Sequence, residues 1–235
     1  MLAFYYPVAF KKDGFLEDEN GKFIPKNAII EAFESATIFY YIKKDKELEN
    51  LVKKYLLSSK NIKEVSKEVK KRVFDKYDVL SSLEITDKLY VKCIYNELVK
   101  VFDLEKKDFV DSFRMQVFKG VIEDAKIKSD KLEKLKTITH SYARALAEYE
   151  HKELKGTFLE EKITTIQNQI ANEWNIPLRV GFWTLTPFKG DLLFFWRVKE
   201  VRDYLLKELK VDIRPKNVLY IPRTEEFLGW GDFSE

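Results

Sequence analysis

The chain has 235 residues, of which 45% are hydrophobic and 14% aromatic, so it can bury a large core and is not mainly disordered. Its 42 basic residues nearly balance 39 acidic ones, so net charge does not by itself identify a nucleic-acid-binding protein. The single cysteine, Cys93, excludes an internal disulfide and a multi-cysteine metal site. No uncharged apolar run reaches the length of a membrane span, and we expect neither secretion nor membrane insertion.

The N-terminal residues are predicted to form strands. Residues 2–10 are rich in apolar and aromatic side chains, and Pro7 places this strand at a sheet edge or a bulge, because proline cannot donate a ladder hydrogen bond. Asn20 and Gly21 tolerate positive φ and indicate a tight hairpin turn.

Helices are predicted to follow these strands. Pro25 is expected to begin a helix with Asn27 as its N-cap, and polar residues 43–46 are expected to end it. Apolar residues at helical spacing then predict a helical insert over about 46–77, whose other face is almost entirely Lys and Glu.

The second half of the chain is predicted to mix strands with a few long helices. The pattern favours strands over residues 79–95, 109–127 (with a turn at Lys119-Gly120), 146–163 and 178–184, and helices over residues 167–175 and 191–210. Asp191 is the expected N-cap of the last helix. This interleaving indicates an α+β protein.

Basic residues beside glycine or proline turns, or at helix starts, are the candidate binding residues. Free backbone N–H groups and the helix dipole favour an anion at a helix N-terminus. The candidates are Lys26, Asn27, Arg179, Gly181, Lys189, Gly190, Arg214, Lys216 and Arg223. Trp183 and Trp230 could add stacking surfaces for single-stranded RNA. The alternative interpretation keeps the tryptophans in the core and the cations in solvent.

Catalytic patterns are scarce. His140 and His151 are the only histidines and lack a recognisable metal spacing, and Cys93 lies in an apolar context. The scattered glycines form no phosphate-binding signature. We therefore predict no catalytic residue, no metal and no cofactor.

Several segments resemble one known family. Residues 23–36 (FIPKNAIIEAFESA) resemble the first-helix motif of the RAMP superfamily, the RNA-binding subunits of CRISPR effector complexes, and residues 178–182 (LRVGF) resemble the strand before its glycine-rich loop. Residues 222–224 (PRT) with 228–230 (LGW) are similar to the closing pattern of the subunit that caps the guide-RNA 3′ end in type III Csm complexes, and residues 111–114 (DSFR) and 144–150 (RALAEYE) also resemble that subunit. The family's glycine-rich loop is reduced here to Gly181 and Gly190, so Arg and Lys side chains would have to substitute.

This resemblance implies a ferredoxin-like (RRM-like) RAMP fold with a helical insertion, in one domain or two fused halves. It further implies a non-catalytic, cytoplasmic subunit of a type III CRISPR interference complex that caps the guide-RNA 3′ end. CRISPR RNA and the other subunits would be its partners. The cations among the candidate residues would contact phosphates, and binding would depend steeply on salt.

Two other functions stay open on the sequence. One is a repeat-RNA-processing endoribonuclease of the same superfamily, although no histidine precedes His140 to act as a general acid or base. The other is a protein-interaction scaffold without RNA contact that uses the charged insert at 46–77.

Overall fold

The computed structural model describes residues 1–10, 14–58, 61–181, 190–210 and 217–234. The helices within these ranges are α1 (Lys26–Lys44), α2 (Lys46–Ser58), α3 (Ile62–Lys76), α4 (Leu132–Leu154), α5 (Glu160–Asn172), α6 (Gly190–Arg197) and α7 (Lys199–Lys207). The strands are β1 (Leu2–Val8), β2 (Leu16–Asp18), β3 (Gly21–Pro25), β4 (Glu84–Ile85), β5 (Lys88–Tyr90), β6 (Tyr95–Asp103), β7 (Asp108–Ile122), β8 (Ile127–Lys128), β9 (Pro177–Arg179), β10 (Asn217–Ile221), β11 (Glu226–Phe227) and β12 (Trp230–Phe233).

A seven-stranded antiparallel sheet forms the centre of the fold, in the spatial order β11-β10-β6-β7-β1-β12-β9. Along the chain, β1, α1, β6, β7, α4 and β12 follow the β-α-β-β-α-β order of a ferredoxin-like unit. The remaining strands form two small sheets, β2-β3-β5 and β4-β8. The predicted α+β fold class is confirmed.

The two faces of the central sheet bury separate apolar clusters. On β6, Phe102 joins the large cluster that also contains side chains of α1, α4 and α5. Val99 and Val101 join a smaller cluster with Met115 of β7 and Leu219 of β10. This division follows from the two-residue period of side chains along a strand, and it places the helices on one face of the sheet.

The first strand and the first hairpin agree with the sequence. The pairing of β1 with β7 shifts register between Phe4 and Val8, which is the bulge predicted around Pro7. β1 lies inside the sheet, so the bulge rather than an edge accommodates the proline. β2 and β3 pair across a turn that ends at Gly21, whose φ of +118° favours glycine.

The start of α1 differs from the prediction. Pro25 is the N-cap residue, it makes no side-chain cap hydrogen bond, and Lys26 is the first helical residue. Asn27 therefore lies inside the first turn, and its prediction as N-cap is wrong. Proline suits the start of a helix because its φ is already near the helical value.

The helical insert is present where the sequence predicted it. The break before it is at Asp45, and α2 and α3 cover Lys46–Ser58 and Ile62–Lys76. On α3, Val65, Val69 and Val73 are buried at four-residue spacing, and the opposite face is exposed.

The predicted turn at Lys119-Gly120 is wrong, because β7 runs without interruption from Asp108 to Ile122. The chain instead turns between β6 and β7. There, Asp103 Oδ1 accepts hydrogen bonds from the backbone N–H groups of Glu105 and Lys106. An aspartate whose side chain accepts from the backbone N–H groups two and three residues ahead is a typical turn signal, and here it marks the true turn.

The predicted strands over 146–163 are also wrong, since α4 continues to Leu154 and α5 begins at Glu160. Gly156 separates the two helices with a φ of +77°, so its role is to stop a helix rather than to turn a strand. The predicted helix over 191–210 is broken at Val198, which has extended backbone and divides it into α6 and α7.

Candidate nucleic-acid interface

Some of the sequence-predicted binding residues lie outside the described residues: Lys189, Arg214 and Lys216, together with Trp183. Gly190 is described as the first residue of α6. Lys26, Asn27, Arg179, Gly181 and Arg223 all belong to the described part.

Arg179 is a correction to the sequence-based expectation. Its Nη2 lies 3.1 Å from Glu150 Oε1, and the two side chains are only 7% and 4% exposed. The guanidinium also lies 4.8 Å from the ring centroid of Trp230, which is completely buried. Because the charge is enclosed between a carboxylate and an indole, it does not face a phosphate in solvent. The alternative interpretation, in which tryptophan belongs to the core, holds for Trp230.

Burial governs the ionisation of this pair. Removal from water raises the pKa of the Glu150 carboxyl, and the positive charge of Arg179 offsets part of that rise. Burial also lowers the pKa of the Arg179 guanidinium, which the negative charge of Glu150 opposes. The pair connects α4 to β9 at one edge of the central sheet.

Gly181 lies where three separate segments meet. The backbone N–H of Val180 donates to Gly229 O at 2.8 Å, and the N–H of Gly229 donates to Pro7 O at 2.7 Å. A Cβ atom on Gly181, whose φ is +115°, would lie 2.6 Å from Ala9 O. The glycine is therefore needed for close packing of the backbone against the end of β1. Two of the motifs that resemble the RAMP family thus come together at this point.

Lys26 is half-buried, Arg223 is exposed, and each has a carboxylate partner. Lys26 Nζ forms an ion pair with Asp87. Arg223 contacts Glu97 with two guanidinium nitrogens, and its Nε donates to Glu97 Oε2 at 3.0 Å. Each of these cations is thus already neutralised by a neighbouring acid.

Among the described residues, the predicted cations Arg179 and Arg223 do not form one surface. Arg223 follows β10 and Arg179 ends β9, and these strands lie near opposite edges of the seven-stranded sheet. Arg179 is also buried, so it cannot contribute to a surface with Arg223.

A basic groove lies between α1, α4 and α6, and we call it the α1–α4–α6 groove. It has a volume of about 630 Å³. Lys43 and Lys44 at the end of α1, Arg144 of α4 and Arg197 at the end of α6 line it. Further lining residues are Tyr40, Glu133, Lys136, Thr137, His140, Ser141, Ala145 and Glu148.

Part of this groove was detectable in the sequence. Lys136, His140, Arg144 and Glu148 recur every four residues and therefore occupy one face of a helix. This helical periodicity conflicts with the strands predicted from Leu146 onward, and the structure shows that the helix is correct. The contributions of α1 and α6 could not be predicted, because only tertiary packing brings the ends of those helices beside α4.

The histidines have structural surroundings. His140 Nε2 lies 3.1 Å from the backbone oxygen of Asn175, and His151 Nε2 lies 3.6 Å from Glu160 Oε1. Within the described ranges, no group of three or more His, Cys, Asp or Glu side chains could hold a metal ion. No helix in those ranges is long and apolar enough to cross a membrane.

Comparison with known proteins places the fold and the family. No protein-family model matches the chain. A chain in the cryo-EM structure of a Csm–crRNA–target RNA ternary complex of a type III-A CRISPR-Cas system shares its fold, with a TM-score of 0.59 and 14% identity over 94% of this chain and 75% of that one. An uncharacterized protein of Aquifex aeolicus (strain VF5) is 37% identical over 234 residues, which cover 97% of this chain and 96% of the relative. The chain belongs to the same family as this Aquifex protein.

Proposed function

We propose that the protein is a non-catalytic RNA-binding subunit of a type III CRISPR effector complex. The observation that carries this proposal is the fold shared over 94% of the chain with a component of a complex that contains crRNA and target RNA. The meeting of two RAMP-like motifs at Gly181 and Gly229 supports the same assignment. In finer detail, the subunit holds the 3′ portion of the guide RNA and ends the row of repeated subunits.

Direct titration with RNA tests the first part. The purified full-length chain is titrated with labelled single-stranded guide RNA of two unrelated sequences at 50 and 200 mM salt. Contact with four phosphates predicts a salt slope near −3 and about a 50-fold loss of affinity over this range, with little difference between the sequences. Absence of binding at 50 mM salt, or affinity independent of salt, would overturn the proposal.

Crosslinking tests the position on the guide. Guide RNAs with a photoreactive nucleotide at the 3′ or the 5′ end are assembled into the complete effector complex. We expect this subunit to crosslink to the 3′ probe. Crosslinking only to the 5′ probe would reject the capping role and leave RNA binding intact.

The same preparation distinguishes the endoribonuclease alternative. His140 is the histidine nearest the basic groove, and its Nε2 already lies beside the Asn175 carbonyl. We expect repeat RNA incubated with the purified chain in EDTA to remain intact. Specific metal-independent cleavage, lost in a His140→Ala variant, would establish the enzyme instead.

A further inference from the structure

The α1–α4–α6 groove gathers positive charge from three helices. Lys43 and Lys44 complete α1, where cations interact favourably with the helix dipole. Arg144 lies in the middle of α4, far from either helix end, and gains nothing from that dipole. The helix dipole therefore does not explain why Arg144 lies beside the two lysines and Arg197.

Neighbouring carboxylates neutralise only part of this charge. At the rim of the groove, Glu133 Oε1 lies 2.9 Å from Lys136 Nζ, and Glu148 Oε2 lies 3.4 Å from Arg197 Nη2. Lys43, Lys44 and Arg144 are exposed and form no ion pair within the part of the chain that the structure describes. Three such cations in a concave surface concentrate positive potential there, which attracts an anion.

The lining indicates a chain of phosphates rather than a base or a small anion. The aromatic rings of the lining are those of Tyr40 and His140. Tyr40, at 8% exposure, offers no ring face for stacking, and the His140 ring is held by the contact of its Nε2 with the Asn175 backbone oxygen. Ser141 adds a hydroxyl on α4, whereas the Thr137 hydroxyl already donates to Glu133 O at 3.1 Å. Cations spread over three helices fit successive phosphates of a sugar–phosphate backbone, to which such side chains donate without reading sequence.

Arg197 shows that one part of the groove is already ordered. Its Nη1 donates to Ala145 O at 3.4 Å, and this contact and the one with Glu148 tie the end of α6 to α4. A guanidinium held in place in this way loses less side-chain entropy when it binds a phosphate.

We propose that the α1–α4–α6 groove binds the sugar–phosphate backbone of single-stranded RNA, an inference that rests on the proposed RNA-binding function and assigns the surface responsible. Lys43 and Lys44 lie outside the segments that resemble the RAMP family, whereas Arg144 begins one of them. The groove would thus be the main electrostatic contact with the RNA.

Two matched variants test the assignment. The groove variant carries Lys43→Gln, Lys44→Gln and Arg144→Gln. The control carries Lys63→Gln, Lys67→Gln and Lys71→Gln, three exposed lysines at four-residue spacing on α3. Both variants lose three positive charges, so any difference between them reports the location of the charge and not its amount.

We expect the groove variant to bind single-stranded RNA at least tenfold more weakly at 100 mM salt. Its salt slope should be shallower by about 2, since each lost phosphate contact removes about 0.7 from the slope. The control should bind within about twofold of wild type. Thermal melting verifies that both variants are folded, and Arg144→Gln alone, expected to reduce the slope by about 0.7, serves if the triple variant unfolds.

The outcomes separate the two proposals. If wild type binds RNA and the groove variant binds equally well, the groove assignment is overturned and the RNA-binding function stands. Equal weakening of the groove variant and the α3 control would also overturn it, because net charge alone would then explain the loss. If wild type does not bind RNA, the proposed function fails and the groove assignment fails with it.

Discussion

Glu150 of α4 and Arg179 of β9 form an ion pair whose side chains are almost completely buried, with 3.1 Å between Glu150 Oε1 and Arg179 Nη2. Trp230 of β12 lies against the guanidinium. The pair thus joins the helical layer to two neighbouring strands at one edge of the sheet. An arginine that the sequence suggested for RNA binding instead stabilises the arrangement of the layers.

The first prediction concerns this ion pair. Replacing Arg179 with Met leaves the Glu150 carboxylate buried without its partner, and we expect the free energy of unfolding to fall by about 3–5 kcal/mol. Lys26→Met is the control, because its partner Asp87 is 77% exposed and remains solvated, so its loss should have a much smaller effect. Urea denaturation measures both. Equal losses would show that the buried pair has no special role.

A second prediction concerns the pH dependence of the Arg179→Met variant. Burial raises the pKa of Glu150, and without Arg179 the pKa should rise further. A carboxyl with a higher pKa in the folded than in the unfolded state binds its proton preferentially in the folded state. The variant should therefore regain stability relative to wild type as pH falls from 7 towards 5. Adding Glu150→Gln should abolish this dependence in urea titrations at several pH values.

Gly181 supplies a third prediction. Gly181→Ala introduces an unfavourable positive φ and also places Cβ 2.6 Å from Ala9 O. Gly156→Ala introduces a positive φ but meets no atom within 4 Å, so it should destabilise by only about 1 kcal/mol. We expect the loss for Gly181→Ala to be at least twice as large in thermal or urea unfolding. Similar losses would indicate that β1 can move away from the added methyl group.

Asp45 is the subject of the fourth prediction. Hydrogen bonds from Lys76 and from the Tyr77 hydroxyl hold the pKa of Asp45 well below its usual value. Asp45 Oδ1 also accepts hydrogen bonds from the N–H groups of Glu47 and Leu48 at the start of α2. Asp45→Ala should therefore lower the free energy of unfolding at pH 7 by about 1–2 kcal/mol, the usual effect of losing an N-cap.

The sign of the pH effect follows from the depressed pKa. Stability from Asp45 is fully present above its unfolded pKa near 3.9 and is lost as pH falls towards the folded value. The difference between wild type and Asp45→Ala should consequently shrink between pH 4 and pH 2. Asp87→Ala is the control, since its 77% exposed side chain should show little effect at any pH. A constant difference across this range would contradict the assigned role of the Asp45 charge.

Local signals predicted much of the secondary structure. The four-residue spacing of Val65, Val69 and Val73 was enough to locate α3, and Asn20 with Gly21 was enough to locate the first hairpin. The same kind of reasoning failed around Gly156, because a glycine is compatible with both a strand turn and a helix end. The burial of apolar side chains along one face of α4 favours the helix, so Gly156 marks a helix end.

The candidate site was less predictable than the fold. Sequence distinguishes neither a solvated arginine from a buried one nor a paired lysine from an unpaired one. Glu150 is 29 residues from Arg179, and Glu97 is 126 residues from Arg223, so neither partner could be recognised by spacing.

The sequence by itself determined the α+β class, the helical insert and the family resemblance, because these depend on periodicity, turn residues and short motifs that act locally. Only the tertiary structure decided which cations face solvent together. Arg179 is buried because the pairing of β9 with β12 places it directly opposite Trp230, whose ring covers the guanidinium. Lys43, Lys44, Arg144 and Arg197 became one surface because α1 packs against α4 and α6. Electrostatic surfaces depend on distances between residues far apart in the chain, and those distances exist only after the core has formed.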